Sequence, residues 1–395
     1  MVVESIAEYA ELKGIKLMGT GDFTHPEWLS ILKKKLKPTG NGLFTYKNTY
    51  FILSTEVNNT YVKDGKLRRV HNLIFSPSFD DVERINSYLG RFGDLRADGR
   101  PTLSLDSKEM LEKILEISPD SFLVPAHIWT PWFALFGANS GFDSIEECFG
   151  ELKREIFALE TGLSSDPPMN WRLSSLDPYT LISNSDAHSP AKIGREANLF
   201  NCELSFYDIR DTLKKKDKNR LLYTIEFFPQ EGKYHYDGHR KCNIRLSPKE
   251  SMMNNDICPV CGRPLTIGVM HRIELLSDRE ERIIPENAIP YKHLVPLEEI
   301  IAEALNTSVH TVGVRNKYLN LVRELDGEFN VLLNAPLSEI SKYSDERIGE
   351  GVKRVREGRL TIIPGYDGVF GTVKIFGEKE EQREKQEEEE QMTLF

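Results

Sequence analysis

The sequence has little cysteine and no long apolar run. Five cysteines in 395 residues cannot form a disulfide framework. The longest apolar stretch, residues 122–138, is interrupted by two prolines and a histidine, which excludes it as a membrane span. The first residues include acids and lack the basic start of a secretory signal. We therefore expect a cytoplasmic protein, and its length predicts two or more domains.

The chain also lacks a net positive charge, because its 51 lysines and arginines are outnumbered by 61 acids and the formal net charge is −10. Residues 378–390 hold eight acids and three bases, which supplies half of that charge. This balance argues against non-specific coating of nucleic acid, although basic clusters such as Lys33–Lys35 and Lys214–Lys216 leave room for local contact with a polyanion. The sequence also lacks a G-x-x-x-x-G-K-[ST] loop, which argues against an ATPase or helicase.

Up to about residue 228, short apolar runs alternate with amphipathic stretches, which predicts an α/β protein with a parallel sheet or barrel. The predicted strands are residues 15–20, 50–55, 70–75, 122–126, 155–159, 179–183 and 221–225. The predicted helices between them include residues 79–89, 107–117, 142–152 and 205–215.

Side chains that bind metal ions follow nearly all of these predicted strands. They are Asp22, His25, Glu56, His71, His127, Glu160, Asp186, His188 and Glu226. In a β/α barrel the carboxyl ends of the strands converge on one mouth, so we expect a shared site there. For Glu160 and Glu226 the alternative is that they cap helices or pair with arginines.

A second group of ligands is predicted by spacing alone. His239-x-x-Cys242 and Cys258-x-x-Cys261 have the two-knuckle spacing of a zinc ribbon, which predicts a structural zinc ion with four protein ligands. His235 and His271 are the alternatives for the histidine ligand.

Five segments resemble the motifs of PHP (polymerase and histidinol phosphatase) metallophosphoesterases: GTGDFTHP, STEVN, RRVHNLIF, VPAHIW and SNSDAHSP. The order of these motifs, together with TIEFFPQEGKYHYDGHRKC, CPVCGRPLTIGVMHR and IIPGYDGVFG, resembles the endonuclease Q family over roughly residues 5–376. The resemblance implies a distorted (β/α)7 barrel, a zinc module, a helical C-terminal region, and nicking of DNA on the 5′ side of deaminated bases or abasic sites.

The resemblance also implies which residues perform the chemistry. It assigns the barrel metals, two or three Zn²⁺ or Mn²⁺, to His25, Glu56, His71, His127, Asp186 and His188. Catalytic roles fall to Asp186, His188, Glu56 and Asp22, the last as a ligand or as a group that orients His25.

The family begins with a strand that ends in a His-x-His motif, and this motif would precede residue 1. Either the native chain begins further upstream, or its barrel lacks a strand and two ligands. We therefore expect residues 1–395 alone to hold fewer ions and to cleave more weakly than a chain that has the motif.

DNA contacts are predicted at three places. Trp129 and Trp132 follow His127 and could stack on an unstacked base, although a core under a long loop is the alternative. Arg240 and Lys241 could meet phosphate, although scattered surface charge is the alternative. The amides of Gly365 and Tyr366, in a glycine-rich segment, could also approach a phosphate, although a plain turn is the alternative.

The last residues follow a run of charged side chains. Gln391, Leu394 and Phe395 resemble the short peptides that dock into sliding clamps, whereas the alternative is a frayed end.

These observations predict four units and one leading function. The units are a PHP-type barrel over residues 1–228, a zinc module over 229–295, a helical region over 296–377 that binds DNA, and an acidic tail over 378–395. The leading function is a metal-dependent DNA-repair endonuclease. A small-molecule phosphatase of the histidinol-phosphate type is one alternative, and a catalytically impaired adaptor that binds DNA or a clamp is the other.

Overall fold

The structure is a computed structural model that describes residues 1–97 and 99–377. It is a mixed α/β fold, as the alternation of apolar runs and amphipathic stretches predicts. Within the described residues, no helix is both long enough and apolar enough to cross a bilayer.

The first 228 residues contain most of the strands. In chain order their elements are α1 (Val3–Lys13), β1 (Leu17–Gly19), α2 (Pro26–Lys35), β2 (Lys37–Pro38), β3 (Phe44–Tyr46), β4 (Thr49–Lys63), β5 (Lys66–Ser76), α3 (Phe79–Leu89), β6 (Thr102–Leu103), α4 (Ser107–Ile117), β7 (Phe122–Pro125), α5 (Ile145–Phe149), β8 (Ala158–Glu160), α6 (Pro167–Asn170), β9 (Thr180–Ile182), β10 (Ala197–Phe200), α7 (Phe206–Lys215) and β11 (Leu221–Glu226).

The remaining residues are mainly helical. Their elements are β12 (Asp237–His239), β13 (Ile244–Leu246), α8 (Pro248–Met253), α9 (Val269–Leu276), β14 (Tyr291–His293), α10 (Leu297–Ala304), α11 (Val312–Glu324), α12 (Glu328–Leu333), α13 (Leu337–Tyr343), α14 (Glu346–Glu357), β15 (Thr361–Ile363) and β16 (Thr372–Lys374). Strand β14 lies parallel to β11, so the chain returns to the first part of the fold before the C-terminal helices begin.

Several helices begin where local chemistry dictates. The side chains of Ser78 and Asp106 accept hydrogen bonds from the amides of Asp81 and Lys108, which caps α3 and α4. Helix α2 begins at Pro26, whose missing N–H is harmless at the first helical position. Helices α3 and α4 match the predicted ones, whereas the predicted helix over residues 142–152 is the shorter α5.

The long strand β4 organises the largest sheet. Its first half pairs with β1 in parallel and with β3 in antiparallel orientation, and its second half pairs with β6 in parallel. Strand β5 pairs antiparallel with β4 along its length, and β7 pairs antiparallel with β5. Strands β8 and β9 form a separate parallel pair.

The prediction of a uniformly parallel sheet is wrong for β4 and β5. Asp64 and Gly65 join these strands with φ angles of 53° and 72°, which is the conformation of a two-residue hairpin turn. The hairpin extends both strands beyond the predicted apolar runs, so Glu56 and His71 lie within strands rather than just past their ends.

Three apolar cores hold the fold together. One lies between the large sheet and the helices of the first half. Another combines inward side chains of β4, β7, β8, β9 and β11 with α7. The third fills the C-terminal helices α10 to α14. Because one core joins five strands, residues near the carboxyl ends of those strands come close together.

Candidate functional site

Three predicted ligands meet where β4, β5 and the segment after β7 converge. Glu56 Oε1 lies 2.8 Å from His71 Nδ1 and 3.1 Å from His127 Nε2, and the two histidine nitrogens lie 3.1 Å apart. Strand register sets this geometry, because Glu56 pairs with Leu73 and His71 pairs with Asn58, which puts Glu56 and His71 on one face.

The surroundings prepare these groups to bind a cation. Burial alone would raise the pKa of Glu56, but His127, His71 and Arg100 outweigh it and hold that pKa well below its ordinary value. Burial lowers the pKa of His71, which favours the neutral imidazole with a lone pair. Burial also opposes protonation of His127, but its contact with Glu56 raises its pKa.

The donor set fits zinc or manganese. Imidazole and carboxylate together suit these ions, and ligand atoms of one ion with bonds of about 2.0–2.2 Å lie about 3 Å apart. The three distances in this cluster have that size, so the residues present fit an ion.

Arg100 links this cluster to Asp186, in the loop after β9. Its Nε lies 2.6 Å from Glu56 Oε1, and its Nη2 donates a hydrogen bond of 2.7 Å to Asp186 Oδ1. The carbonyl oxygens of Ser185 and Asp186 accept hydrogen bonds from Arg195, which holds the loop after β9. Sequence reasoning missed Arg100, because no motif marks it.

The other predicted ligands surround this cluster at greater distance. Asp22 lies close enough to interact with the charges of Arg100 and Glu56. Burial raises the pKa of Asp22, the charge of Arg100 lowers it, and the charge of Glu56 raises it. The backbone amide of His25 donates to the carbonyl of Asp22 at the start of α2. His188 is 74% exposed, and its Nδ1 lies 2.9 Å from the carbonyl oxygen of Asp186. Among the described residues, only Glu56, His71 and His127 of the predicted barrel ligands share one tight cluster.

Three candidate ligands have an unusual backbone conformation. Asp22, His127 and Asp186 have φ angles of 44°, 30° and 42°, in the left-handed region that residues other than glycine rarely adopt. Each such residue costs on the order of 1–3 kcal/mol and persists only where its surroundings impose it. Strain at three candidate ligands agrees with a functional centre.

Gly162 imposes the position of His127. Its φ is 62°, and a Cβ at this residue would lie 2.5 Å from the Cβ of His127. The amide of His127 also donates a hydrogen bond of 2.8 Å to Glu160 Oε2. Glycine is therefore required beside this ligand, which the sequence alone did not indicate.

Glu160 and Glu226 act as supports. Glu160 accepts from the His127 amide and, at 2.8 Å, from Asn184 Nδ2. Glu226 accepts from the hydroxyl groups of Thr161 and Thr224. Burial raises the pKa of Glu160 to about 7 and that of Glu226 to about 8. The two glutamates thus hold neighbouring groups in place, but, among the described residues, neither through a helix cap nor through an arginine, the two alternatives that the sequence left open.

The predicted zinc ligands also come together. His239, Cys242, Cys258 and Cys261 place their ligand atoms within 4.8 Å of one another, and Cys261 Sγ lies 3.3 Å from His239 Nδ1. Burial opposes ionisation of Cys258, but the amides of Cys261 and Val260 outweigh it and lower its pKa. Three thiols and one imidazole, carried on two knuckles, fit a structural zinc ion.

The rival histidines have other places. His271 is buried, with Nδ1 2.6 Å from Asp237 Oδ2, and helix α9 carries it. His235 is buried and stacks on the ring of Tyr236. His239 is therefore the histidine that the fold brings to the cysteines.

The structure contradicts the prediction that Trp129 contacts DNA. Its side chain is 1% exposed, stacks on Phe136, and donates a hydrogen bond of 2.8 Å to Asn170 Oδ1. The rings after His127 thus divide into a core and a surface. Trp132 is 43% exposed, and Phe133 packs on the ring of His71.

The prediction that Gly365 and Tyr366 offer amides to a phosphate is also wrong. The Gly365 amide donates to the carbonyl of Gln230, and the Tyr366 amide donates to Val369. The Tyr366 ring is buried and its hydroxyl donates to Asn243 Oδ1, so this turn fastens β15 and β16 to the zinc-ligand segment. The structure therefore favours the alternative, a plain turn, over a phosphate-binding segment.

The remaining predicted contacts are two basic residues near the zinc ligands and the C-terminal peptide. Arg240 and Lys241 are exposed beside His239, where they can meet a polyanion. Gln391, Leu394 and Phe395 lie outside the described residues, so clamp binding stays a prediction.

Comparisons with known proteins cover nearly the whole chain. A family model of the MJ0043 C-terminal domain matches residues 296–359. The uncharacterized protein MJ0043 of Methanocaldococcus jannaschii is 32% identical over 277 residues, which are 68% of this chain and 34% of that protein. This chain thus matches about a third of that relative. The uncharacterized protein YqxK of Bacillus subtilis is 27% identical over 382 residues, which are 93% of this chain and 91% of that protein.

Two solved structures are similar in fold and sequence. The lesion-specific endonuclease PfuEndoQ of Pyrococcus furiosus has a TM-score of 0.85 and 31% identity, over 95% of this chain and 90% of that one. An endonuclease Q bound to a 27-mer duplex with an abasic lesion at its active site has a TM-score of 0.83 and 32% identity, over 96% of this chain and 92% of that one.

Proposed function

Because the chain belongs to the endonuclease Q family, we propose that it is a DNA-repair endonuclease that hydrolyses the phosphodiester 5′ to a deaminated base or an abasic site. The observation that carries this proposal is the cluster of Glu56, His71 and His127, in a chain that matches both endonuclease Q structures almost end to end.

The hydrolysis is proposed to depend on divalent ions. Glu56, His71, His127 and Asp186 would hold them, with Asp22, His25 and His188 completing the set of two or three Zn²⁺ or Mn²⁺. Such ions polarise a phosphodiester and lower the pKa of a bound water molecule. The chain's own part is to keep Glu56 ionised and His71 neutral and to orient His127 through Glu160.

The proposed architecture follows the family. Residues 1–228 would form the distorted (β/α)7 barrel of the PHP type, residues 229–295 the zinc-ribbon module, and residues 296–377 the helical region. One boundary needs adjustment, because β15 and β16 pack on the zinc-ligand segment through Tyr366 and Asp367. The turn between β15 and β16 therefore goes with the zinc module, whereas Ile375 and Phe376 pack in the core of the C-terminal helices.

An exposed aromatic surface beside the site would receive the DNA. Trp132 contacts Tyr234 with ring centroids 5.5 Å apart, and Lys233 lies over the rings of both Tyr234 and Phe370. Phe370 is 70% exposed at the end of a turn whose amides are already paired. Exposed rings mixed with lysine suit stacking on unpaired bases and attraction to phosphate.

The test is cleavage of defined duplexes. The protein, supplied with Mn²⁺ or Zn²⁺, is incubated with duplexes that carry one uracil, one hypoxanthine or one abasic site, and with an undamaged duplex. We expect a nick 5′ to the lesion and none in the undamaged duplex. Hydrolysis of histidinol phosphate without nicking of any duplex would favour the small-molecule phosphatase instead. Binding of damaged DNA without any cleavage would favour the impaired adaptor.

A further inference from the structure

We propose that Arg100 binds a phosphodiester oxygen of the substrate strand at the metal centre, exchanging a carboxylate partner for phosphate. This inference rests on the proposed function. It concerns a residue that no motif indicated, and it follows from the position, register and charge of one side chain.

Arg100 lies in the bend just before β6, and the pairing of β6 with β4 anchors it beside the centre. Thr102, two residues later, pairs with Asn58 in this parallel ladder. The amide of Asn58 donates a hydrogen bond of 3.0 Å to the carbonyl of Pro101. The side chain is 26% exposed, so it can be reached from the mouth of the site.

The positive charge of Arg100 allows it to pair with carboxylates in one state and with a phosphate in another. It contacts Glu56 and Asp186, which are candidate metal ligands, at 2.6 Å and 2.7 Å. When divalent ions share these two carboxylates, the carboxylates need the guanidinium less as a counter-charge. A guanidinium is planar and always charged, and its paired N–H groups match the oxygens of a phosphate. Arg100 is then free to direct those groups at the strand that the ions hold.

The variants are Arg100→Gln, Arg100→Lys and a matched control, Arg210→Gln. Arg210 has 22% side-chain exposure against 26% for Arg100, and it also pairs with two carboxylates, Asp120 at 2.6 Å and Asp211 at 3.6 Å. It lies on α7, which contributes none of the candidate ligands. The control therefore removes an equivalent arginine–aspartate pair away from the centre.

Three binding measurements test the inference without relying on turnover. They are the number and affinity of Mn²⁺ ions per chain, the affinity of the Mn²⁺-loaded protein for inorganic phosphate, and the salt dependence of its affinity for a duplex with an abasic site. Arg100→Gln should bind Mn²⁺ at least as tightly as the wild type and inorganic phosphate about tenfold more weakly. Its salt slope should fall by about one, the value for one lost phosphate contact.

The lysine variant and the control complete the design. Arg100→Lys keeps the charge and should give intermediate phosphate affinity, and it remains informative if Arg100→Gln does not fold. Arg210→Gln should match the wild type in all three measurements. The inference is overturned if Arg100→Gln keeps wild-type phosphate affinity and salt slope, or if it loses its ions, since Arg100 would then only organise the ligands. If phosphate binding depends on Arg100 but damaged DNA is neither bound nor nicked, the proposed function fails while the phosphate site stands.

Discussion

Gly162 should be needed for both stability and the metal centre, because no other residue fits beside His127. An alanine at position 162 would have to adopt the left-handed conformation, with a φ of 62°, which costs about 1–2 kcal/mol. Its Cβ would also lie 2.5 Å from the His127 Cβ, and overpacking of this kind costs about 1–3 kcal/mol. Gly162→Ala should therefore lower the free energy of unfolding by about 2–5 kcal/mol.

A second glycine separates the two causes. Gly40 has a φ of 85°, and a Cβ there would have no heavy atom within 4 Å. Gly40→Ala should cost only the conformational part, about 1–2 kcal/mol, and leave ion binding unchanged. Urea unfolding gives the stability of both variants, and elemental analysis gives their bound ions.

The site should respond as well as the fold. Relief of the 2.5 Å contact would displace His127 and weaken its 3.1 Å contact with Glu56, so Gly162→Ala should bind Mn²⁺ more weakly than the wild type. The reasoning is refuted if Gly162→Ala and Gly40→Ala have equal stability and equal ion affinity.

Three further predictions concern the zinc ligands, a buried acid and the aromatic surface. Cys258→Ser should release one zinc ion per chain and lower the melting temperature, since structural zinc is coupled to folding, and unchanged zinc content would contradict this. Burial raises the pKa of Glu226 to about 8, so the folded chain keeps a proton on Glu226 that the unfolded chain releases near the ordinary pKa of a glutamate. The folding stability linked to this proton is lost as the pH rises from about 5 to 8. Glu226→Gln should reduce that loss by on the order of 2 kcal/mol, and an unchanged pH profile of unfolding would argue against it. Trp132→Ala should weaken binding of an abasic duplex by about fivefold or more, whereas Trp129→Ala should mainly lower stability; the reverse pattern would exclude the proposed surface.

Sequence patterns predicted what depends on local chemistry. Helices α3, α4 and α7 lie where periodicity places them, and the His-x-x-Cys and Cys-x-x-Cys spacings predicted which four side chains meet. Asp64-Gly65 was a readable hairpin signal between β4 and β5, but the apolar runs on either side suggested parallel strands instead.

The rest depends on contacts between segments distant in sequence. Arg100 reaches Asp186 across 86 residues, and Gly162 is constrained by the position of His127. Trp129 and Trp132 are three residues apart, yet one is buried against Phe136 and the other is exposed. Periodicity cannot separate such residues in a loop, because only the packed partner decides which ring is covered.

The central claim is that the site formed by the Glu56, His71 and His127 cluster together with Asp186 cleaves damaged DNA, and Asp186→Asn tests it most directly. Asp186 and Asp120 each pair with one arginine, at 2.7 Å and 2.6 Å, so Asp120→Asn is the matched control. The measurement is the rate of nicking of a duplex with one abasic site in Mn²⁺, alongside the affinity for that duplex. The account predicts measurable nicking by the wild type and by Asp120→Asn, and a rate lower by about two orders of magnitude or more for Asp186→Asn with nearly unchanged affinity. Nicking by Asp186→Asn at the wild-type rate, or no nicking by any of the three proteins, would contradict it.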